Sequence, residues 1–394
     1  MREREFAVLM ASMTSLIALS IDVMLPALPV MGESLGVLNS NHTQLILSFL
    51  FFGMAVGLLF FGPLSDSMGR KPPVYIGLSL FMLGCGLALW ASDLTEMLVG
   101  RFLQGFGLGA PRIVSIALVR DQYQGKHMAR IMSFIMAVFI LVPTIAPALG
   151  QGILAFFEWP VIFWFLLGVS FLLWIWFGKR QVETLVPSKR IPFSVGTILR
   201  GIKEVCGHRI SLGYTLANGI VFGGFLGYLN LSQPILQDLY GLDSQFALYF
   251  GALALVVGLG SYCNGRWVMQ YGMKSLSFWS VGIVGTGSCL FLLVVYFMDG
   301  IPTLWMFMAY LSLILFWFGI LFGNMTALAM EPLGHIAGLG AAVVGSLSTA
   351  ISVPLSIYIG QQYQGTVSPV VWGFFVCSLA TLAVMYWTER GEAV

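Results

Sequence analysis

Charged side chains are scarce in this sequence: 19 Lys+Arg and 17 Asp+Glu make up 9% of 394 residues, against roughly a quarter of an ordinary soluble domain. With 58% hydrophobic residues and a mean hydropathy of +0.90, there is too little polar surface to cover a globular core, which excludes a soluble fold. Cysteine is thin as well. Cys85, Cys206, Cys263, Cys289 and Cys377 are scattered, with no Cys-x-x-Cys pair and no Cys/His cluster, so neither a disulfide framework nor a metal site is expected. His42, His127, His208 and His335 all lie in loops or at the ends of apolar runs, which leaves a histidine proton relay without support. No Gly-x4-Gly-Lys-[Ser/Thr] phosphate loop is present, which argues against ATP as an energy source. The apolar runs contain one acid and no nucleophile–base pair, so a membrane-embedded enzyme is disfavoured. A receptor's sizeable polar domain is missing too, and no nucleic-acid partner is expected.

What the chain has is long apolar runs. A helix needs ~20 mainly apolar residues to cross a hydrocarbon layer of ~30 Å, and isolated Gly or Pro within it is tolerated. Twelve runs qualify, at about 6–27, 43–62, 73–92, 95–118, 129–153, 160–178, 210–232, 244–265, 276–298, 303–328, 337–361 and 369–388. The first is too long for a signal peptide and lacks a small-residue cleavage site, so it is read as an uncleaved span. With the N-terminus cytoplasmic, 17 of the 19 Lys and Arg fall in inside loops and none in outer loops. The positive-inside rule therefore sets the orientation and places both termini in the cytoplasm. The polar stretch 179–209 links two halves of six spans, 1–178 and 210–394. GPLSDSMGRK (62–71), after the second span, and GRWVMQYGMK (265–274), after the eighth, both read Gly-x6-Gly-x-Lys. The expected fold is an all-α integral membrane protein of two pseudo-symmetric six-helix bundles, a transporter architecture whose substrate site lies at the repeat interface near the bilayer midplane.

GPLSDSMGRK is the most specific stretch. It resembles the signature G-x-L-[A/S]-D-x-x-G-R-[K/R] between helices two and three of the major facilitator superfamily, matched by Gly62, Leu64, Asp66, Gly69, Arg70 and Lys71. Its chemistry suits a conformational gate. Gly62 permits close helix approach, Asp66 can sit at the positive end of another helix, with the eleventh span as candidate, and Arg70 can fasten the loop. IDVMLPALP in the first span, RFLQGFGLG (101–109), VPTIAPALGQG (142–152) and GHIAGLGAAVVGS (334–346) resemble the bicyclomycin/chloramphenicol-resistance branch of drug:proton antiporters. The resemblance implies the major facilitator fold in a bacterial inner membrane, working as a monomer on a small-molecule substrate. It implies no cofactor, the proton serving as coupling ion, and no partner beyond the lipid bilayer. It also implies gating roles for Gly105, Pro147 and Gly150, and a proton-transfer role for Arg101, the arginine of R-x-x-x-G. One departure stands out: Val142, Ala146 and Gln151 replace three glycines of the fifth-helix antiporter signature G-x-x-x-G-P-x-x-G-G. Export is therefore less firmly implied than the fold, and an uptake symporter or facilitator is the alternative.

Three formally charged residues lie deep in the spans: Asp22, Arg101 and Arg112. Each such charge costs about 2.5–3.5 kcal/mol on insertion scales and is a functional candidate by default. Asp22 precedes the outer end of its span by about six residues, and Arg101 follows the outer start of its own by about six, so both lie ~8–9 Å below the outer surface. The two are assigned to proton coupling: a carboxyl that takes a proton from one side and releases it to the other, beside an arginine whose distance changes with conformation. The bland alternative is a buried ion pair that fixes packing. Arg112 follows Arg101 by eleven residues, which returns it to within about 20° of the same face, ~16 Å nearer the cytoplasm. Its bland alternative is snorkelling to the inner interface. Two arginines against one aspartate leave the N-terminal half net positive and favour an anionic or zwitterionic solute. Further substrate-binding candidates are Gln44 at the start of helix two, Asn218, Phe222, Phe225 and Tyr228 on helix seven, with Tyr214, and Asn324 on helix ten. Together these point to a proton-coupled exporter of a small organic solute, drug-like or siderophore-like, working by alternating access.

Overall fold

The computed structural model describes residues 1–390, and no strand occurs among them. The first unit, Met1–Ile202, holds α1 (Glu3–Asp22), α2 (Leu28–Ser34), α3 (Leu45–Met68), α4 (Lys71–Leu89), α5 (Leu94–Gln122), α6 (Gly125–Leu154) and α7 (Pro160–Arg180). α8 (Val195–Gly207) straddles the division. The second unit, from Lys203 on, holds α9 (Arg209–Gln233), α10 (Phe246–Tyr271), α11 (Met273–Phe297), α12 (Leu304–Met330), α13 (Ala337–Gln361) and α14 (Ser368–Glu389). Eleven helical stretches are long and apolar enough to cross a membrane, and the longest, Leu304–Gln361, contains both α12 and α13, joined by a 3-10 turn. Among the described residues this makes twelve helices long and apolar enough to cross a membrane.

Two expectations need correcting. The first span is not one helix. α1 ends at Asp22, a 3-10 turn covers Leu25–Ala27, and α2 follows. Pro26 and Pro29 explain the break, because neither can donate an N–H to the carbonyl four residues earlier; for Pro26 that residue is Asp22. The stretch 179–209 is also more than a linker, since it contains α8, with Val195, Ile198, Leu199, Ile202 and Val205 interleaved with Arg200 and Lys203.

Helix pairing repeats between the units. In the first, α3 and α4 pack on α5, α1 on α6 and α4 on α7; in the second, α10 and α11 pack on α12, α9 on α13 and α11 on α14. Lipid tails are as apolar as leucine, so close packing of small residues must hold such helices together. The α3/α5 contact shows it: Cβ atoms added at Gly53, Gly57 and Gly105 would meet the carbonyls of Phe102, Phe106 and Leu50 at 2.0, 2.3 and 1.8 Å. On the other side of α5, one at Gly107 would lie 2.4 Å from Gly77 O of α4. α5 itself starts cleanly, with Asp93 accepting from Glu96 N and Glu96 accepting from Ser92 N, a variant of the capping box.

Candidate functional site

The break in the first span decides what surrounds Asp22. Asp22 is the last residue of α1 and only 4% exposed. No group donates to its carboxyl and no cation lies within ion-pairing distance among the described residues. Gly150 of α6 lies directly against the break, where a Cβ would sit 1.9 Å from Val23 O. Gly150 of the fifth-helix motif thus meets the backbone beside Asp22.

Arg101 of α5 shares this level without touching the carboxyl. Its guanidinium is fully buried and donates to Ser20 O (3.0 Å), Ile46 O (3.2 Å) and Gln104 Oε1 (2.5 Å). Ser20 O is one of the last four carbonyls of α1, which have no helical donor. A cation there also complements the negative end of the helix dipole. Arg101 therefore caps the broken helix. The R-x-x-x-G spacing has a matching logic on α3: Arg101 bonds Ile46 O, and Gly105, one turn on, clears Leu50 O, one turn on from Ile46. Sequence reasoning missed Gln104, although its place three residues after Arg101 puts it on the same face. It also missed the carbonyl acceptors, which have no side-chain signature. Gln44 ends the 3-10 turn before α3, buried, with Oε1 lacking a partner.

Arg112 is half-buried, and its one polar contact is Nη1 to Met54 Sδ at 4.0 Å. No carboxylate pairs with it among the described residues. One turn along the same helix, the hydroxyl of Ser115 is buried without a partner.

The motif around Gly62–Lys71 forms a clasp where α3 turns into α4, against the C-terminal ends of α5 and α7. Gly62 is buried in α3 and its carbonyl accepts from Ser65 Oγ at 2.9 Å. Gly69 has φ +99°, in the left-handed region that favours glycine, and any Cβ would meet Glu183 at 2.6 Å. Arg70 bonds Asp66 Oδ1 (2.6 Å), Asp121 Oδ2 (2.9 Å) and Ser65 Oγ (3.0 Å). Glu183, just beyond α7, accepts from the backbone N–H of Arg70 (2.8 Å) and Lys71 (3.0 Å), capping α4. Burial pushes the Glu183 carboxyl up, but backbone donors from Lys71, Arg70, Leu185 and Thr184 outweigh it and hold the group below its ordinary value. Lys71 Nζ reaches Gly178 O at 3.3 Å. Asp121, in the last turn of α5, and Glu183, beyond α7, were not legible as members, because nothing in sequence marks which acid at a helix end meets the motif.

In the second unit the candidates divide. Phe222, Phe225 and Tyr228 of α9 join Phe318 and Phe322 of α12 in a continuous ring cluster, with the Phe225 and Phe322 centroids 5.1 Å apart. Asn218 is half-buried on α9. Asn324 instead makes a reciprocal amide pair with Asn264 of α10, at 2.8 and 3.0 Å. Tyr214 is fully buried and donates to Glu389 Oε1 at 2.6 Å, so its position is explained by the end of α14.

Comparison with known proteins fits this geometry. The family model described as Major Facilitator Superfamily matches residues 10–356. An uncharacterized MFS-type transporter, YdgK of Bacillus subtilis, is 31% identical over 90% of this chain and 88% of its own length. The bicyclomycin resistance protein homolog of Haemophilus influenzae is 27% identical over 94% and 92%. Multidrug resistance protein D of Escherichia coli is 26% identical over 93% and 90%. Among solved structures, the E. coli xylose transporter XylE in a partially occluded inward-open state superposes with a TM-score of 0.74 at 12% identity, covering 98% of this chain and 97% of its own. The human organic anion transporter MFSD10 gives 0.72 at 16%, covering 98% and 99%.

Proposed function

Because this chain belongs to the major facilitator superfamily and is a multi-pass membrane transporter, we propose that it is a proton-coupled exporter of a small organic solute, with Asp22 as the proton-carrying group. The observation that carries this reading is a buried carboxyl without a donor at the broken end of α1, two residues from the carbonyl that receives an arginine held by three acceptors. A neutral, protonated Asp22 leaves Arg101 on Ser20 O and Gln104. Loss of the proton creates a charge that attracts the guanidinium, and a move of Arg101 toward Asp22 releases the carbonyl that ties α1 to α5. Proton state and helix position are then linked, as alternating access requires. The potential adds ~2.3 kcal/mol per charge per 100 mV, so one proton per cycle drives appreciable export.

Relatives named for bicyclomycin and multidrug resistance support export over uptake. The segregation of 17 of 19 basic residues supports a cytoplasmic location for both termini in a bacterial inner membrane. In proteoliposomes with an imposed pH gradient, Asp22→Asn is expected to lower gradient-driven transport about tenfold or more, a change of ~1.4 kcal/mol or above, while solute exchange without a gradient persists. Gradient-driven transport at the wild-type rate in Asp22→Asn would remove Asp22 from the coupling step. Arg101→Lys should weaken both modes, since one ammonium cannot reproduce a fork that reaches three acceptors.

A further inference from the structure

We infer that Arg112 is the charge-recognition group of the solute site and selects organic anions, carboxylates or sulfonates, over cations. This deepens the transporter reading and rests on it.

The direction in which the side chain reaches is the first observation. Gly109 of α5 packs against Gly57 and Leu58 of α3, so the Arg112 backbone lies on the cytoplasmic side of that level. Its guanidinium nevertheless contacts Met54 Sδ, a turn back toward the membrane centre. Helical side chains lean toward the N-terminus of their helix, and the N-terminus of α5 is its outer end. A snorkelling arginine would extend the other way, to the inner interface. Arg112 holds its charge at depth.

The second observation is what surrounds it. Arg70 is met by two carboxylates and Arg180 by Glu5, and Arg101 has three oxygen acceptors. Arg112 has a thioether. Insertion of an arginine at depth is costly, and a thioether is a weak acceptor that offsets little of it. Ser115, three residues on, adds a fully buried hydroxyl without a partner. A fork of N–H donors with no oxygen acceptor matches a planar or tetrahedral oxyanion, and no acid among the described residues pairs with it: Asp66 and Asp121 are held by Arg70, and Asp22 ends α1 beside the Ser20 carbonyl that Arg101 binds, eleven residues of α5 before Arg112.

Three dyes on one xanthene scaffold separate charge from shape: fluorescein (anion), rhodamine 110 (free acid and amine) and rhodamine 123 (cation). Binding to the purified full chain is read by fluorescence anisotropy, which needs no proton gradient and so stands apart from the coupling role of Asp22. Fluorescein is expected to bind more tightly than rhodamine 123. Arg112→Gln should weaken fluorescein about tenfold and leave rhodamine 123 within about twofold, which also shows that the variant is folded. Arg112→Lys should recover part of the fluorescein affinity. No saturable fluorescein binding, a wild-type preference for rhodamine 123, or equal weakening of both dyes would each overturn the assignment. If fluorescein binding depends on Arg112 while Asp22→Asn transports at the wild-type rate, the recognition role stands and the coupling role falls.

Discussion

The two six-helix units repeat one another in helix pairing and part company in what fills the contacts. Each has a tight reversal between its second and third spans: Gly69 and Gly272 both have positive φ, at +99° and +77°, and Lys71 and Lys274 follow at the same spacing. Each lysine is answered by the end of the last helix of its unit, through Gly178 O in one case and Glu389 at 2.9 Å in the other. Around this shared frame the first unit has Asp66 and Arg70 where the second has Met269 and Met273. Within its spans the first holds Asp22, Arg101 and Arg112; the second holds an asparagine pair and a ring cluster. On the proposed function, the duplicated scaffold would separate two tasks, with the charged groups in one half and a neutral amide pair and aromatic cluster in the other.

The most damaging way to probe the difference is at the glycines. Gly105→Ala places a methyl group where Leu50 O already lies 1.8 Å away. Backbone faces backbone there, so α3 and α5 must separate, at the upper end of the ~1–3 kcal/mol typical of overpacking or beyond. Little monodisperse protein should be recovered by size-exclusion chromatography. Gly282→Ala in α11 meets nothing within 4 Å and should be neutral or stabilising by up to ~1 kcal/mol. Equal yields of the two variants would show that close glycine packing does not distinguish the α3/α5 contact.

A smaller effect is expected at the charged clasp. Glu183 sits below the ordinary glutamate value of 4.5. A carboxyl lowered on folding contributes its stability in full above the unfolded value, and loses it as pH falls through the lower, folded one. The Glu183 cap is therefore intact between pH 5 and 8, and pH-dependent transport in that window cannot be assigned to it. Glu183→Gln should lower the melting temperature at pH 7 by a few degrees, and its deficit against wild type should close only below about pH 4.5. A deficit that closes between pH 5 and 7 would place the titration on another group.

Which of these features could be read beforehand follows from how each is encoded. The spans were legible, because apolar run length is a bulk property of the chain. The Gly62–Lys71 loop was legible because it needs particular residues at fixed spacing. The partner of Arg101 was not. Depth alone put Asp22 beside it, but Pro26 breaks α1 and exposes carbonyls that compete for the guanidinium, and backbone acceptors leave no mark in sequence. Glu183 escaped for a related reason: a loop glutamate becomes a helix cap only when the chain folds back. Asn324 was legible as polar and buried, while its pairing with Asn264, sixty residues away, was not.

That asparagine pair gives the mildest test of the contrast between the halves. Asn324→Ala leaves the Asn264 amide without its donor and acceptor in a half-buried place, at a cost of ~1–3 kcal/mol. Replacing both residues by leucine removes the unmet groups together and should restore most of the loss. If the pair serves only to join α10 to α12, the double variant melts near wild type and binds rhodamine 123 with unchanged affinity. If the double variant is stable yet loses the dye, Asn324 contacts solute after all, and the second unit contributes polar recognition as well as rings. A double variant that remains as unstable as Asn324→Ala would mean that the amides hold water or neighbouring carbonyls as well as each other, so the neutral half would depend on a polar network just as the charged half depends on Arg101.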